Sequence, residues 1–136
     1  VIGTDSPSFP ADYLQSSIDL LTNGESEVVI GASRDGGYYL IGFHHPVEGF
    51  FENVEWSTEK SFVQTINNAE RILGIKPLQI PEWYDVDTSE ELGVLYQEFL
   101  ENEDFKIIAP NTAKWLQTNE ELFILMNWNC ESDNTF

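Results

Sequence analysis

Short apolar segments alternate with amphipathic segments along this chain, and that alternation limits its fold more than any other feature. Residues 27–33 (EVVIGAS) and 38–43 (YYLIGF) are apolar runs of strand length. Residues 13–21 and 62–73 repeat apolar side chains at helical spacing. A brief third strand is predicted at 77–80, at a sheet edge because of its prolines. Such alternation is typical of layered α/β domains, so we expect an α/β fold.

Capping residues mark the predicted helix ends. Ser57 or Thr58 is expected to begin the second helix, and Gly74 to end it. A third helix is predicted to begin at Thr88, because Thr88 and Glu91 form the T-x-x-E pattern of a capping box.

The two ends of the chain carry separate predictions. Residues 1–5 (VIGTD) resemble the end of a buried strand whose beginning lies upstream. A last helix is predicted over 112–122, and no clear period follows it. We therefore expect a folded domain at 1–122 and a C-terminal tail at 123–136.

The charge balance excludes several classes of partner. There are 24 acidic residues against 6 lysines and arginines, which gives a formal net charge of −18. Such a field repels nucleic-acid backbones and anionic lipid surfaces. It still permits a small phosphate-bearing ligand, provided that a divalent cation bridges the like charges.

Cysteine content and hydropathy bear on location. The single Cys130 excludes an internal disulfide and a cysteine-based zinc site, which favours a reducing, cytoplasmic location. No apolar run in the sequence is long enough to span a bilayer.

Acidic residues follow the predicted strands. Asp5 follows the opening segment, Asp35 follows 27–33, and Asp85 and Asp87 come after the third strand. Ligands of open α/β sheets gather outside the carboxyl ends of the strands. Carboxylates that converge there are hard oxygen ligands suited to Mg²⁺ or Mn²⁺.

Backbone groups near these acids suit phosphate or a close ligand. The helix starts at Ser57/Thr58 and Thr88 would present N–H groups and positive dipole ends to phosphate oxygens. Gly36 and Gly37 would let the backbone approach a ligand with no side chain between them.

Each of these residues also has a structural explanation. The sequence 35–37 (DGG) is equally typical of a hairpin turn, Asp87 of a helix N-cap, and Asp5 of an Asx-turn. Trp56 is typical of a core residue as well as of a ligand-stacking one, and by strand alternation one residue of the Tyr38–Tyr39 pair faces the core. The residues alone leave these alternatives open.

Taken together and in order, five sequence blocks resemble a known family. That family is the bacterial glycosyltransferase-like proteins associated with radical-SAM and selenoprotein-like gene neighbourhoods, which are similar to the 2-phospholactate guanylyltransferases. The resemblance runs collinearly over about residues 1–117. Its blocks are IGTDSP at 2–7, VVIGASRDGGYYLIGF at 28–43, FENVEWST at 51–58, YDVDTSEEL at 84–92 and APNTAKWL at 109–116.

The resemblance implies a three-layer α/β/α fold of the GT-A type, that of nucleotide-diphospho-sugar transferases, and a divalent metal cofactor. It matches the C-terminal part of the family, so we expect the N-terminal nucleotide-binding portion to be lacking. It also implies site residues. They are Asp5, Asp85 and Asp87 for the metal, Asp35 for catalysis, and Gly36, Gly37, Tyr38, Trp56, Ser57, Thr58 and Thr88 for substrate.

The implied function is metal-dependent transfer of a glycosyl or nucleotidyl group. The donor would be of the nucleotide-diphospho-sugar type, and the acceptor a small molecule. In that reaction Asp35 would orient or deprotonate the acceptor hydroxyl. The alternative is a truncated, non-catalytic GT-A-like module that acts by binding a partner or by forming a homodimer through an exposed sheet edge.

Overall fold

The computed structural model describes residues 1–125, which form two compact units. The first unit is Val1–Asp85, and the second begins at Val86. The first unit contains the helices α1 (Ala11–Thr22) and α2 (Ser61–Leu73) and the strands β1 (Val28–Ser33), β2 (Tyr38–Phe43) and β3 (Leu78–Trp83). The described part of the second unit contains the helices α3 (Ser89–Glu101), α4 (Phe105–Ile108), α5 (Pro110–Thr118) and α6 (Glu120–Leu125).

The first unit is built on a three-stranded sheet with the order β2-β1-β3. Strands β1 and β2 form an antiparallel hairpin in which Val28 pairs with Phe43 and Ile30 with Ile41. Strand β3 runs parallel to β1, with Ser33 paired to Trp83. Within this sheet β3 is an edge strand, as its prolines predict.

A helix covers each face of the sheet, which gives the expected three layers. Val28 and Ile30 on one face pack with Ala69 of α2. Val29 and Leu40 belong to the cluster on the other face, where apolar side chains of α1 pack against them. The central strand is buried on both faces, which is why 28–32 is an uninterrupted apolar run.

The opening segment lies beside β2. Ile2 forms an antiparallel bridge with Leu40, and the Gly3 N–H donates to the Tyr39 carbonyl oxygen at 2.8 Å. The prediction of a buried strand end was wrong in one respect, because the side chains are exposed: 93% for Val1 and 45% for Ile2. The segment pairs through its backbone without entering the core.

Some predicted helix boundaries were wrong. The second helix begins at Ser61 instead of Ser57 or Thr58. Ser57 has φ of +58°, a left-handed conformation that no residue inside or beginning an α-helix adopts. Gly74 does end this helix, with φ of +68°.

The capping box of the second unit is confirmed. The Thr88 hydroxyl accepts a hydrogen bond from the Glu91 N–H, and the Glu91 carboxylate accepts one from the Thr88 N–H. Leu95 of α3 is buried, whereas Leu100 of the same helix is 53% exposed.

The end of the chain contains more helices than expected. The helix predicted over 112–122 is divided at Asn119 into α5 and α6, and α4 was not predicted. Phe123 of α6 is buried and stacks on Tyr96 of α3, with ring centroids 4.1 Å apart. The boundary at residue 122 stays a prediction, since residues 126–136, including Cys130, lie outside the described residues.

None of the helices within residues 1–125 has both the length and the apolarity that crossing a bilayer requires.

Candidate functional site

Two acids of the first unit meet where β1 and β3 end. Because these strands are parallel, their carboxyl ends lie at the same edge of the sheet. Asp35 follows β1 by two residues, and Asp85 follows β3 by two residues. One carboxylate oxygen of each lies within 4.8 Å of the other. The convergence of Asp35 and Asp85 that the strand ends predict is therefore observed.

Ser33 holds Asp85 in place. Ser33 is the last residue of β1 and is only 5% exposed, and its hydroxyl donates a hydrogen bond to Oδ1 of Asp85. A hydroxyl that is buried without a partner is costly, so this bond stabilises the fold as well as the carboxylate position. Sequence reasoning missed Ser33. Its only signal is a hydroxyl residue in the strand that ends beside Asp35.

Asp35 shapes the hairpin turn between β1 and β2. Its Oδ1 accepts a hydrogen bond from the Gly37 N–H at 2.8 Å. The turn is closed by backbone bonds from the Ser33 N–H to the Gly37 carbonyl, 3.0 Å, and from the Gly36 N–H to the Ser33 carbonyl, 3.3 Å. The hairpin interpretation of DGG is thus confirmed, and it leaves Asp35 exposed beside Asp85.

Gly36 is required for a contact inside the protein. It has φ of +89°, and a Cβ placed on it would lie 2.6–3.0 Å from the backbone of Glu59. Its carbonyl oxygen also accepts a hydrogen bond from the Phe62 N–H at the start of α2. The space beside Gly36, expected for a ligand, is therefore filled by the segment that leads into α2. At Gly37 a Cβ would meet the Asp35 carboxylate at 3.1 Å.

A depression of about 570 Å³ opens next to this turn. It lies between the β1–β2 turn and the first turn of α2. Asp35 and Gly36 therefore face a space large enough for a small molecule. The residues that line it are Arg34, Asp35, Gly36, Glu59, Lys60, Val63 and Gln64.

The two cations of this depression were missed by sequence reasoning. The Arg34 guanidinium lies 3.7 Å from the Glu82 carboxylate, and the Lys60 ammonium lies 3.2 Å from that of Glu55. Hydrogen bonds from Gln64 and Lys60 hold the pKa of the Glu55 carboxyl below its usual value. The available signal was the scarcity of cations in the chain, which makes each one informative.

The aromatic residues expected to bind substrate form part of a cluster. Tyr38 is half-buried, and burial raises the pKa of its hydroxyl. Trp56 packs edge-on against Tyr38, with ring centroids 6.4 Å apart, and its ring is tilted by 51° against that of Phe51, with centroids 5.8 Å apart. Trp56 is nevertheless 53% exposed, so one part of its ring supports the cluster and another part faces solvent.

The residues after Trp56 form an exposed turn. Ser57 has its left-handed conformation here. The Thr58 hydroxyl donates to the Glu55 carbonyl oxygen at 2.7 Å and accepts from the Lys60 N–H at 3.3 Å. Thr58 is thus engaged in local turn bonds ahead of α2, and neither residue begins the helix.

Asp5 lies exposed at the same edge of the sheet as Asp35 and Asp85. The segment that precedes it is antiparallel to β2 and hence parallel to β1 and β3. Strand β2 separates this segment from β1, which places its end two strand spacings from β1, about 10 Å. Asp5 does not join another two acids within 4.8 Å anywhere in residues 1–125.

Asp87 and Thr88 belong to the second unit. The Asp87 N–H donates to the Glu91 carboxylate at 3.0 Å, and Thr88 caps α3. The N-cap is therefore Thr88, and the Asp87 carboxylate follows Asp85 by two residues along the chain.

Comparison with known proteins agrees with the fold. A crystal structure described as a "putative nucleotide-diphospho-sugar transferase" from Desulfovibrio desulfuricans is 31% identical to the chain, with a TM-score of 0.78. The match covers 91% of this chain and 52% of that one, so the chain spans about half the length of the solved protein. The chain has a GT-A-like α/β fold.

Part of the chain also matches a protein-family model. The bacterial family DUF2064, described as "Uncharacterized protein conserved in bacteria", matches residues 1–58. That range includes Asp5, the 35–38 turn and Trp56. No curated protein matches the chain. The two similarities support a transferase-like family, whereas association with radical-SAM gene neighbourhoods stays a prediction.

Proposed function

We propose that this chain forms the metal-binding and acceptor-binding part of a transferase that uses a nucleotide-diphospho-sugar-type donor. The group transferred is a glycosyl or a nucleotidyl group, and the acceptor is a small molecule. One observation carries the proposal: Asp35 and Asp85 meet at the carboxyl edge of a sheet whose fold is similar to that of a described nucleotide-diphospho-sugar transferase.

The donor set fits a hard divalent cation. Two oxygens bound to one Mg²⁺ at about 2.1 Å lie at most about 4.2 Å apart, which the Asp35–Asp85 pair reaches by a small side-chain rotation. Carboxylate oxygens are the ligands that Mg²⁺ and Mn²⁺ prefer. The chain offers few cations to neutralise a diphosphate directly, which makes a metal ion the natural counter-charge.

The acids have different places in the proposal. Asp35 and Asp85, the latter held by Ser33, are the metal ligands of the first unit, and Asp87, two residues further along the chain, is proposed from its sequence position as another. Asp5 does not join them, because the opening segment lies three strand spacings from β3, about 14 Å. When bound, the metal would neutralise charge that develops on the diphosphate leaving group. Asp35 would bind the metal through one carboxylate oxygen, and its other oxygen orients the acceptor hydroxyl and accepts its proton as the hydroxyl oxygen attacks the donor. Its nearness to Asp85 keeps that hydroxyl beside the diphosphate.

Some of the remaining residues contact substrate around this centre. Tyr38 supports the exposed ring of Trp56, which offers an apolar face to a sugar or base. Ser57 is exposed and is proposed to contact substrate. Contacts of Gly37, Thr58 and Thr88 with substrate stay predictions, because their polar groups already form the turn bonds and the capping box described above. Gly36 contributes by fixing the segment at Glu59, which brings the wall of the depression next to Asp35.

Thermal denaturation with donors tests the proposal. The chain is heated with UDP- and GDP-linked sugars, each with and without Mn²⁺. We expect one donor class to raise the melting temperature by several degrees, since about 2.7 kcal/mol of stabilisation is gained at 100 times Kd, and only with Mn²⁺ present.

Three variants make the test specific. Asp85→Asn and Asp35→Asn remove acids of the pair, and Asp19→Asn on α1 is the control with the same charge change. The rise should disappear in the Asp85 variant and persist in the Asp19 variant. Stabilisation by no donor, together with a dimer on a sizing column, would instead support a non-catalytic, self-associating module.

A further inference from the structure

The cations of this chain are unevenly placed. There are 6 lysines and arginines against 24 acids, yet Arg34 and Lys60 line the same depression as Asp35. In a chain with net charge −18, an anion is repelled unless local cations offset the overall field. In this depression the two cations balance the two acids that line it, Asp35 and Glu59, so the lining has no net negative charge.

Both cations are able to exchange partners. The side chains of Arg34 and Lys60 are 59% and 60% exposed, and their glutamate partners are exposed to a similar degree. Exposed ion pairs contribute little, about 0–1 kcal/mol, so a bound anion can replace either glutamate at small cost. Arg34 is further steadied because its guanidinium lies 5.4 Å from the centre of the Tyr84 ring.

The start of α2 adds favourable potential at the same place. Lys60 is the N-cap residue, Val63 and Gln64 line the depression, and the first turn contains no acidic residue. The positive end of the helix dipole therefore faces the depression without an internal counter-charge. The N–H groups of Ser61 and Phe62 already donate to backbone carbonyls, so direct contacts to an anion fall to Arg34 and Lys60.

The acids of the depression define the rest of the ligand. Asp35 and Glu59 also line it, and ionised carboxylates only accept hydrogen bonds. They would repel a second anionic group and would accept hydrogen bonds from hydroxyls. The lining thus suits a small molecule with one anionic group and at least one hydroxyl.

We propose that Arg34 and Lys60 bind the anionic group, a phosphate or a carboxylate, of a small hydroxylated acceptor. Bound in this way, the acceptor presents its hydroxyl to Asp35. The assignment of the ligand as the acceptor rests on the proposed function, whereas the anion site itself does not. Binding of an anionic acceptor explains why Arg34 and Lys60 lie beside Asp35, the acid that is proposed to receive the hydroxyl proton.

The test uses three matched probes with the whole chain. Glycerol 3-phosphate, glycerate and glycerol are titrated separately while amide ¹H–¹⁵N chemical shifts are recorded, with EDTA present to exclude metal. We expect at least one anion to shift the amides of residues 34–37 and 60–64 saturably, in the millimolar range, and glycerol to shift none of them. A larger effect of glycerol 3-phosphate indicates a phosphate group, and a larger effect of glycerate a carboxylate.

Charge variants make the result specific. Arg34→Gln and Lys60→Gln should each weaken binding about three- to fivefold, in line with exposed charge contacts. Lys76→Gln is the control, since Lys76 lies outside the depression and forms an exposed pair with Glu70. Preserved dispersion of the other amide signals verifies that each variant is folded.

Three results would overturn the inference: no saturable shift with either anion, equal binding of glycerol, or equal weakening in the Lys76 variant. A parallel titration with Mn²⁺ separates it from the proposed function. Anion binding without any Mn²⁺ effect at Asp35 and Asp85 would leave the anion site standing and remove the transferase proposal. An effect of Mn²⁺ at Asp35 and Asp85 without any anion binding would remove only the anion site.

Discussion

The Ser33 hydroxyl donates a hydrogen bond to Oδ1 of Asp85, and this bond joins the ends of β1 and β3 across 52 residues of sequence. Ser33 is buried, so the bond is shielded from competing water. A hydroxyl has one proton to donate. It therefore engages one oxygen of Asp85 and restricts rotation of the carboxylate beside Asp35.

Removing this bond should weaken metal binding more than it weakens the fold. Ser33→Ala is expected to lower Mn²⁺ affinity about tenfold, as loss of a hydrogen bond to a metal ligand commonly does. The free energy of unfolding should fall by about 1 kcal/mol. Calorimetric titration with Mn²⁺ and urea denaturation measure the two effects.

Ser33→Thr is the matched control, because it keeps the hydroxyl and should recover most of the Mn²⁺ affinity. If Ser33→Ala binds Mn²⁺ as tightly as the unmodified chain, the bond supports the fold alone.

Gly36 should be among the least replaceable residues of the hairpin. Gly36→Ala combines a positive φ with a Cβ placed 2.6–3.0 Å from the Glu59 backbone, so we expect a loss of about 3 kcal/mol in unfolding free energy. Gly24→Ala is the control: it has φ of +70° and nothing within 4 Å of its Cβ, and should lose only about 1 kcal/mol. Equal losses in urea denaturation would show that the Glu59 contact is unimportant.

The same glycine shows what sequence can and cannot predict. DGG correctly predicts a hairpin turn, because turn preference is local. It does not predict that residue 59, 23 positions further on, fills the space beside Gly36, because that contact depends on tertiary packing. The expectation that acids after the strands converge was correct for Asp35 and Asp85, since their strands β1 and β3 are neighbours in the sheet. It was less informative for Asp5, since a strand lies between.

The helix starts show the same contrast between local signals and tertiary structure. The start of α3 was predicted correctly because a capping box is local, with both partners within one turn. The start of α2 was not, because Ser57 adopts a left-handed conformation and the chain makes one more turn before Ser61. Exposure of Leu100 likewise depends on what packs against α3, which periodicity does not reveal.

Tyr39 should make the fold sensitive to alkali. Its hydroxyl donates to the Pro81 carbonyl at 2.6 Å, and burial, with a smaller effect from Tyr13, raises its pKa to about 12. The unfolded chain has a tyrosine pKa of about 10 and loses this proton first. Stability from Tyr39 is therefore complete below pH 10 and is lost as pH rises toward 12.

Urea denaturation at pH 8, 10 and 11.5 measures this loss. Tyr39→Phe should be less stable at pH 8 by about 1 kcal/mol and should lose less on going to pH 11.5. Tyr38 and Tyr96, whose pKa values are also raised by burial, account for the slope that remains. If the free energy of unfolding falls as steeply with pH in Tyr39→Phe as in the unmodified chain, the role of Tyr39 is contradicted.

The capping box should be a main stabilising feature of the second unit. Thr88→Ala removes the hydroxyl that accepts the Glu91 N–H, and it should lower stability by about 1 kcal/mol. Hydrogen exchange at the amides of α3 should accelerate, while exchange in β1 stays unchanged. Thr88→Ser, which retains the cap, is the control. Equal exchange in all three proteins would contradict this assignment.

The central claim is that Asp35 and Asp85 form one divalent-metal site, and Mn²⁺ titration monitored by amide NMR tests it most directly. At substoichiometric Mn²⁺ we predict that the amides of 34–37 and 83–85 broaden first within residues 1–85. The selective broadening should disappear in Asp85→Asn and persist in Asp19→Asn. Uniform broadening over the acidic surface, or selective broadening that survives in Asp85→Asn, would contradict the claim.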